Sequence, residues 1–206
     1  MKYFVPLESN KFYHIFNHAV GNENFFKCDD NYNFFIKKYI EYINPIANTY
    51  SFVLMPNHFH YLIEIKDRKN IYLRYLELEL KKEIPNVKTE KELDYEKFAM
   101  QQFSNFFNSY TKSFNKKYNR RGALFIDYLK RDEIKDEVHL KNIVLYIHQN
   151  PIHHKFCKRI DEWKYSSYKT ILSNSFSHLQ RDEVIKWFGD LENFIFMHTT
   201  LKNLEY

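Results

Sequence analysis

The chain has 206 residues, of which 44% are hydrophobic and 19% aromatic. This composition excludes an intrinsically disordered protein, and the length favours one core domain over two independent folds. The formal net charge of +5 is compatible with a polyanionic partner, and with only Cys28 and Cys157 present there is no cysteine framework and no thiolate zinc signature.

The first half of the chain predicts the order β-α-β-β. Residues 12–20 form a run rich in aromatic and β-branched side chains, which is typical of a strand. Apolar residues then recur at helical spacing over residues 32–43. Two further β-prone runs, 50–55 and 58–65, are separated by Pro56-Asn57, and this turn pair predicts a hairpin.

The second half predicts helices around one further strand. Residues 66–92 contain eight basic and six acidic side chains, which indicates a charged surface insertion with one helix. An amphipathic helix is expected over 94–118 and a strand over 123–129. Another helix is expected over 136–150, ending there because Pro151 disfavours helical geometry in the residue before it.

The remainder of the chain predicts additional helices rather than a new core. We expect residues 1–170 to form the main domain and residues 171–206 a helical extension of the same domain. Interleaved strands and helices predict an α+β fold with helices packed on an antiparallel sheet. No apolar stretch approaches the roughly 20 residues of a membrane span, and no signal peptide is evident, so we expect a cytoplasmic protein without a membrane partner.

Two histidines stand at the start of the second hairpin strand. His58 and His60 are two residues apart, so both project from one face of the strand, while Phe59 faces the opposite side. Two imidazoles on one face can reach the same metal ion. A pair of exposed or hydrogen-bonded strand histidines is the alternative.

The second chemical motif lies on the predicted helix 136–150. Tyr146 and Asn150 are four residues apart and therefore share one helix face. A phenolate can attack phosphorus, and a divalent ion bound by two histidines and one asparagine can polarise a phosphate oxygen. Asparagine before proline is also an ordinary end of a helix.

Together the two motifs resemble a known family. MPNHFHYLIEI at residues 55–65, followed by YIHQNP at residues 146–151, is similar to the REP-associated tyrosine transposases, which are insertion-sequence-200-like single-tyrosine transposases of the HUH (His-hydrophobic-His) superfamily. FYHIFNHAVGNENFF, RRGALFIDYLKRDEI and DEWKYSSY are similar too, so the resemblance covers about residues 12–168. His18 stands where the family is expected to have an arginine.

The resemblance implies a ferredoxin-like antiparallel sheet backed by helices, with extra C-terminal helices. It implies that His58, His60 and Asn150 bind a divalent metal, Mg²⁺ or Mn²⁺, and that Tyr146 is the nucleophile. The enzyme would be a transposase and single-strand DNA endonuclease. It would cleave and rejoin single-stranded DNA with imperfect hairpins through a 5′-phosphotyrosine, as a monomer or homodimer.

A local surplus of positive charge predicts where DNA binds. Residues 112–135 contain eight basic and three acidic side chains, and this surplus of five equals that of the whole chain. A solvated lysine-rich helix end is the alternative. The candidate DNA contacts are Lys116, Lys117, Arg120, Arg121, Lys130 and Arg131.

Two other functions are open on the sequence. A metal-dependent hydrolase would use water near His58 and His60, with His148 or the pair His153-His154 as a further ligand. Because His148 is two residues from Tyr146 on a helix, we expect it to point elsewhere, as a surface or DNA-contacting side chain. A non-catalytic nucleic-acid-binding module would make the histidines incidental.

Overall fold

The computed structural model describes residues 5–126 and 129–200. Four strands form one sheet: β1 (Phe12–His18), β2 (Ala47–Met55), β3 (His58–Ile65) and β4 (Lys130–Ile134). The helices are α1 (Asp29–Tyr42), α2 (Arg68–Glu79), α3 (Tyr95–Lys117), α4 (Glu137–His153), α5 (Tyr168–Leu172), α6 (Arg181–Trp187) and α7 (Leu191–Thr200), with a 3₁₀ turn at Ile160–Glu162.

The sheet has the strand order β2-β3-β1-β4, and every neighbouring pair is antiparallel. With α2 set aside, the elements follow the order β-α-β-β-α-β, which is the ferredoxin-like arrangement. The α+β class and the hairpin of β2 and β3 are therefore confirmed. The prediction of one helix in the charged segment 66–92 is also correct, since α2 is its helix and residues 80–92 are exposed.

One face of the sheet carries an aromatic core. Phe59 of β3 packs against Phe35 of α1, with ring centroids 5.5 Å apart, and against Phe107 of α3 at 5.8 Å. Phe59 is thus on the side opposite the histidines, as the alternation of strand residues predicts. Each fully buried aromatic side chain contributes roughly 2–3 kcal/mol, so this face holds much of the stability of the fold.

Helix α4 covers the other face and forms a second core there. Its carboxylate cap is Asp136, which accepts a hydrogen bond from the backbone N–H of His139 at 2.8 Å, as expected for an acidic residue at this position. The C-terminal helices α6 and α7 pack into this core. Its buried apolar members include Val53, Met55, Leu62, Ile143, Val144, Ile147, Val184, Phe188 and Phe194.

The structure corrects the prediction of a strand over residues 123–129. Phe125 forms only an isolated bridge with Ala19, and the last strand is instead β4, a polar segment on the sheet edge. The carbonyl oxygen of Ala123 accepts a hydrogen bond from the Arg120 guanidinium at 2.6 Å rather than from a strand. An edge strand tolerates charged residues because one of its sides faces solvent. A prediction that looks for hydrophobic runs therefore chose residues 123–129 instead of β4. Residues 127–128 lie outside the described residues.

The expected end of the helix at Asn150 is also a correction, because α4 continues through Pro151 to His153. Proline lacks an N–H and removes one helical hydrogen bond. The bonds beyond it survive, with the N–H of His154 donating to the Asn150 carbonyl at 3.0 Å and the N–H of Phe156 to the Pro151 carbonyl at 2.9 Å. Asn150 is therefore a helical residue, in line with Tyr146.

Candidate functional site

The candidate site lies between the start of β3 and the last turns of α4. Nε2 of His58 is 2.8 Å from Oδ1 of Asn150, although the two residues are 92 positions apart in the chain. On the other side of the ring, Nδ1 of His58 is 2.8 Å from Oδ1 of Asn57. His58 is 2% exposed and Asn150 is 1% exposed, so this contact is shielded from water.

The protonation of His58 decides what these two contacts mean. Burial lowers its pKa to about 4, although its contact with Asn150 favours the charged form, so the ring is neutral at pH 7. A neutral imidazole has one N–H, yet both of its ring nitrogens face an amide oxygen. A cation bound to Nε2 and to Asn150 Oδ1 would match both contacts, because Nδ1–H could then donate to Asn57.

The distance between the two ligand atoms also suits a shared ion. Nitrogen and oxygen ligands bind divalent ions at about 2.1 Å, so two of them at a right angle are about 3.0 Å apart. The rings of His58 and His60 have centroids 5.4 Å apart and lie nearly perpendicular, at 83°. Two imidazoles and one amide oxygen are thus close enough to be ligands of one ion.

His60 is held by a histidine that the sequence motif does not include. Nδ1 of His60 is 2.9 Å from Nε2 of His14 on the neighbouring strand β1, and both rings are buried. Burial lowers the pKa of His14 to about 3 and the pKa of His60 well below its usual value. The site therefore presents neutral nitrogens with lone pairs rather than positive charge, which is the state that binds a metal.

Tyr146 stands over these rings from α4. Its ring centroid is 5.4 Å from that of His60 and 5.9 Å from that of His14, both in edge-on geometry. Burial raises the pKa of the Tyr146 phenol, and a hydrogen bond with the Asn150 side chain partly offsets this effect. Asn150 thus contacts both His58 and Tyr146, as their shared helix face requires.

Among residues 5–126 and 129–200, no group of three or more His, Cys, Asp or Glu side chains is placed to hold a metal ion. A metal at this position would consequently need the amide oxygen of Asn150 as its third protein ligand. The donor set of two histidines and one asparagine fits Mn²⁺ better than Mg²⁺, which prefers oxygen ligands.

Sequence reasoning missed two histidines that border the site, His14 and His18, and had named the third, His154, only for a hydrolase. His14 and His18 share the face of His58 and His60, because β1 pairs with β3 in a register that sets His18 opposite His58. The ring centroids of His18 and His58 are 4.7 Å apart, as are those of His58 and His154. His14 and His18 are an even number of residues apart on a predicted strand, so the sequence indicates that they share one face. That this face is also the face of His58 and His60 follows only from the strand pairing.

The candidate DNA contacts Lys130 and Arg131 separate onto opposite faces of β4. Lys130 pairs with Phe16 on the histidine face. Burial lowers the pKa of His18, and the charge of Lys130 lowers it further. Arg131 is a correction, since it is 6% exposed and donates hydrogen bonds to the carbonyls of Val5 and Leu129. Its guanidinium fastens the N-terminal segment to the sheet and is not presented to a ligand.

The other four cations follow the end of α3 and the loop after it. Lys116 and Arg121 are exposed, and Lys117 is exposed with an ion pair to Asp30 at 3.1 Å. Arg120 pairs with Glu23 at 2.6 Å and also bonds the loop carbonyls. This arginine is therefore engaged in holding the loop. Lys116 and Arg121 are available to a polyanion, whereas Lys117 would first have to exchange its contact with Asp30.

The expectation that His148 is a surface side chain is wrong. His148 is fully buried, with Nδ1 2.8 Å from Nε2 of His198 and Nε2 2.6 Å from Oγ of Ser167. Nδ1 of His198 lies 2.7 Å from the carbonyl of Phe194. Nδ1 of His148 thus contacts α7 and Nε2 contacts Ser167 just before α5, so both nitrogens are engaged and His148 is excluded as a metal ligand with His58 and His60.

No helix among the described residues is long and apolar enough to cross a membrane.

No protein-family model matches the sequence, and a search of curated proteins finds no match. In fold, the chain is similar to a solved structure of the REP-associated tyrosine transposase bound to a REP hairpin. The TM-score is 0.57 at 12% identity, over 84% of this chain and 86% of the other. The resemblance noted from the motifs is confirmed at the level of the fold.

Proposed function

We propose that this chain is a transposase-like DNA strand transferase that cleaves single-stranded DNA with Tyr146 as the nucleophile. The observation that carries this is the convergence of Tyr146, Asn150, His58 and His60 on one side of the sheet. All four groups belong to one chain, so a monomer can hold a complete site and a homodimer would hold two. The fold neighbour, a tyrosine transposase bound to a hairpin, suggests hairpin DNA as the substrate.

In the reaction, the Tyr146 oxygen attacks the scissile phosphorus and the bond from phosphorus to the 3′-oxygen breaks. The phenol proton passes to solvent, and the departing 3′-oxygen takes up a proton from solvent to become a free hydroxyl. The downstream DNA remains attached to Tyr146 through its 5′-phosphate. Attack by a 3′-hydroxyl on this diester reverses the step and rejoins DNA without ATP, because one phosphodiester replaces another.

The chain's own residues would prepare this attack. Burial raises the pKa of the Tyr146 phenol, and the hydrogen bond with Asn150 partly offsets this by favouring the phenolate. His58, His60 and Asn150 would hold a divalent cation, which supplies charge stabilisation at the non-bridging phosphate oxygens when bound. His14 would position His60 by keeping a hydrogen bond on its Nδ1, leaving Nε2 for the ion.

The single strand would reach the site along cations at the same end of the sheet. Lys130 lies on the histidine face. The exposed residues Lys116 and Lys117 lie in the last turn of α3, and Arg121 lies in the loop after it. Phosphate neutralisation by such side chains gives affinity without sequence selectivity and makes binding salt-dependent. The hairpin itself would have to be recognised by shape and by base contacts.

The deciding experiment incubates the protein and Mn²⁺ with single-stranded hairpin DNA labelled on either flank. Only the label downstream of the cut should become covalently attached to protein. Tyr146→Phe should abolish both cleavage and adduct. Tyr42→Phe is the matched control, because Tyr42 is also half-buried but lies on α1, on the other side of the sheet.

The outcomes separate the competing functions. Cleavage that survives in Tyr146→Phe without a protein adduct would mean that water attacks, as in a metal-dependent hydrolase, and cleavage with an adduct would mean that another tyrosine attacks. Binding without cleavage across several hairpins and both metals would indicate a nucleic-acid-binding module. An adduct on the upstream fragment would contradict the 5′-phosphotyrosine.

A further inference from the structure

The tip of α4 presents an aromatic ring to solvent next to the candidate site. Phe156 is 48% exposed, although it follows the helix by only three residues. The helix closes with hydrogen bonds from the N–H of Lys155 to the Ile152 carbonyl and from the N–H of Phe156 to the Pro151 carbonyl, both 2.9 Å. This closure fixes the backbone that carries the ring.

A second ring supports Phe156 from behind. The ring centroid of Trp163 is 5.5 Å from that of Phe156, and the Trp163 indole N–H donates to the Leu54 carbonyl on β2 at 3.0 Å. The indole is thus anchored to the sheet, two rings form one small platform, and the outer ring is open. A rigid exposed aromatic ring of this kind can stack on an unpaired base at little entropic cost.

Basic residues are close to Phe156 in the sequence. Lys155 has a φ of 61°, in the left-handed region that favours glycine. A glycine at this position would relieve the backbone strain at the end of the helix. Arg159 and Lys164 are paired with Asp161 and Asp29. Lys155 and Lys158 are exposed and form no ion pair with any other residue of the segments 5–126 and 129–200.

The platform is also close to the proposed reaction centre. His154, which directly precedes Lys155, has its ring centroid 4.7 Å from that of His58. A nucleotide whose phosphate lies near His58 can therefore place its neighbour's base at the end of α4. Phe176 is 89% exposed but has no lysine or arginine among its four nearest neighbours in sequence, so exposure alone does not distinguish Phe156.

We infer that Phe156 and Lys155 form a nucleotide subsite, in which an unpaired base stacks on Phe156 and its phosphate pairs with Lys155. This inference rests on the proposed function, because it supposes that single-stranded DNA is the substrate. The unpaired nucleotide beside the scissile phosphate would bind at the tip of α4. This contact would add to those that the basic residues at the end of α3 make with the DNA backbone. Duplex DNA, whose bases are already stacked, would not use this subsite.

The test uses binding in the Tyr146→Phe protein without metal, so that no turnover intervenes. The probe is an oligothymidylate strand carrying one 2-aminopurine, whose fluorescence is quenched by stacking, and a blunt duplex serves for comparison. Phe156→Ala should weaken single-strand binding by about 5- to 100-fold and reduce the quench. Phe156→Trp should retain both, and Phe176→Ala should match the parent protein.

Two variants separate the subsite from a role in folding. Phe156→Leu keeps an apolar contact with Trp163 but lacks a π-face, so it should melt like the parent protein and still lose the quench. Lys155→Gly relaxes the left-handed residue, so it should be at least as stable while lowering the salt slope of binding by about 0.7.

The inference is overturned if Phe156→Ala binds the single strand like its parent, or if Phe176→Ala loses as much. Equal losses for single-stranded and duplex DNA would overturn it as well. A parent protein that shows no preference for single strands would contradict the proposed function itself. Normal single-strand binding with an unaffected Phe156→Ala would remove only the subsite.

Discussion

The two faces of the sheet are built from the same strands but hold different materials. The face under α1 and α3 is a nearly continuous aromatic core, with Phe59 and Tyr61 of β3 at its centre. The face under α4 buries His14, His58 and His60 among apolar residues. Burying polar groups costs free energy unless they are hydrogen-bonded. The comparison indicates that the α4 face, beside its own apolar core, keeps a buried polar arrangement that stability alone would not select.

The largest expected effect is a difference in unfolding free energy between one variant on each face of the sheet. Phe59→Ala should cost about 3–5 kcal/mol of unfolding free energy, because it leaves a cavity between β3, α1 and α3. Tyr146→Phe on the other face should change stability by less than about 1 kcal/mol. Urea denaturation of both variants measures the unfolding free energies. Equal losses of stability would contradict the difference between the two faces.

The next effect concerns the hydrogen bond between His14 and His60. His14→Phe keeps a ring but removes the nitrogen that contacts Nδ1 of His60. Mn²⁺ affinity should fall about 10- to 100-fold, as is usual for partners of metal ligands. Titration calorimetry measures it, with His18→Phe as the control, because the ring of His18 stacks on His58. Equal affinity in both variants would remove His14 from the site.

Acid should weaken the α4 face through its buried histidines. Burial lowers the pKa of His198 to about 4, below the value of about 6.5 in the unfolded chain. As pH falls below 6.5, the unfolded state takes up a proton that the folded state excludes, so stability decreases. His198 should account for about 2 kcal/mol between pH 7 and pH 5.

Denaturation curves at several pH values test this effect. His198→Gln should have a shallower dependence of unfolding free energy on pH than the wild type, whereas His178→Gln, at an exposed position, should not. A slope that stays unchanged in His198→Gln would mean that other groups determine the acid sensitivity.

The smallest expected effect distinguishes the neighbours Lys130 and Arg131. Lys130→Gln should weaken single-strand binding a few-fold and reduce its salt slope by about 0.7, with stability unchanged. Arg131→Gln should instead destabilise the fold by about 1–3 kcal/mol, because buried carbonyls lose charged donors. Anisotropy titrations and thermal melts give both quantities, and reversed outcomes would place Arg131 at the DNA.

Much of the fold was readable because its signals are local. The hairpin turn at Pro56-Asn57 and the amphipathic period of α3 depend on neighbours within a few residues, and both elements are where the pattern predicts them. The polar strand β4 was missed because its pairing with β1, and not its composition, makes it a strand. The helix beyond Pro151 was missed because buried contacts of Asn150 outweigh the lost hydrogen bond.

The sequence by itself determined which side chains of a single element act together: His58 with His60 by the two-residue period of a strand, and Tyr146 with Asn150 by the helical turn. Only the tertiary structure decided that these two pairs meet, since they lie about 90 residues apart. It also decided that His14 joins them, that Arg131 turns inward, and that α7 buries His148. Periodicity is a property of local backbone geometry, whereas these contacts depend on strand register and helix docking, which arise only when distant segments pack.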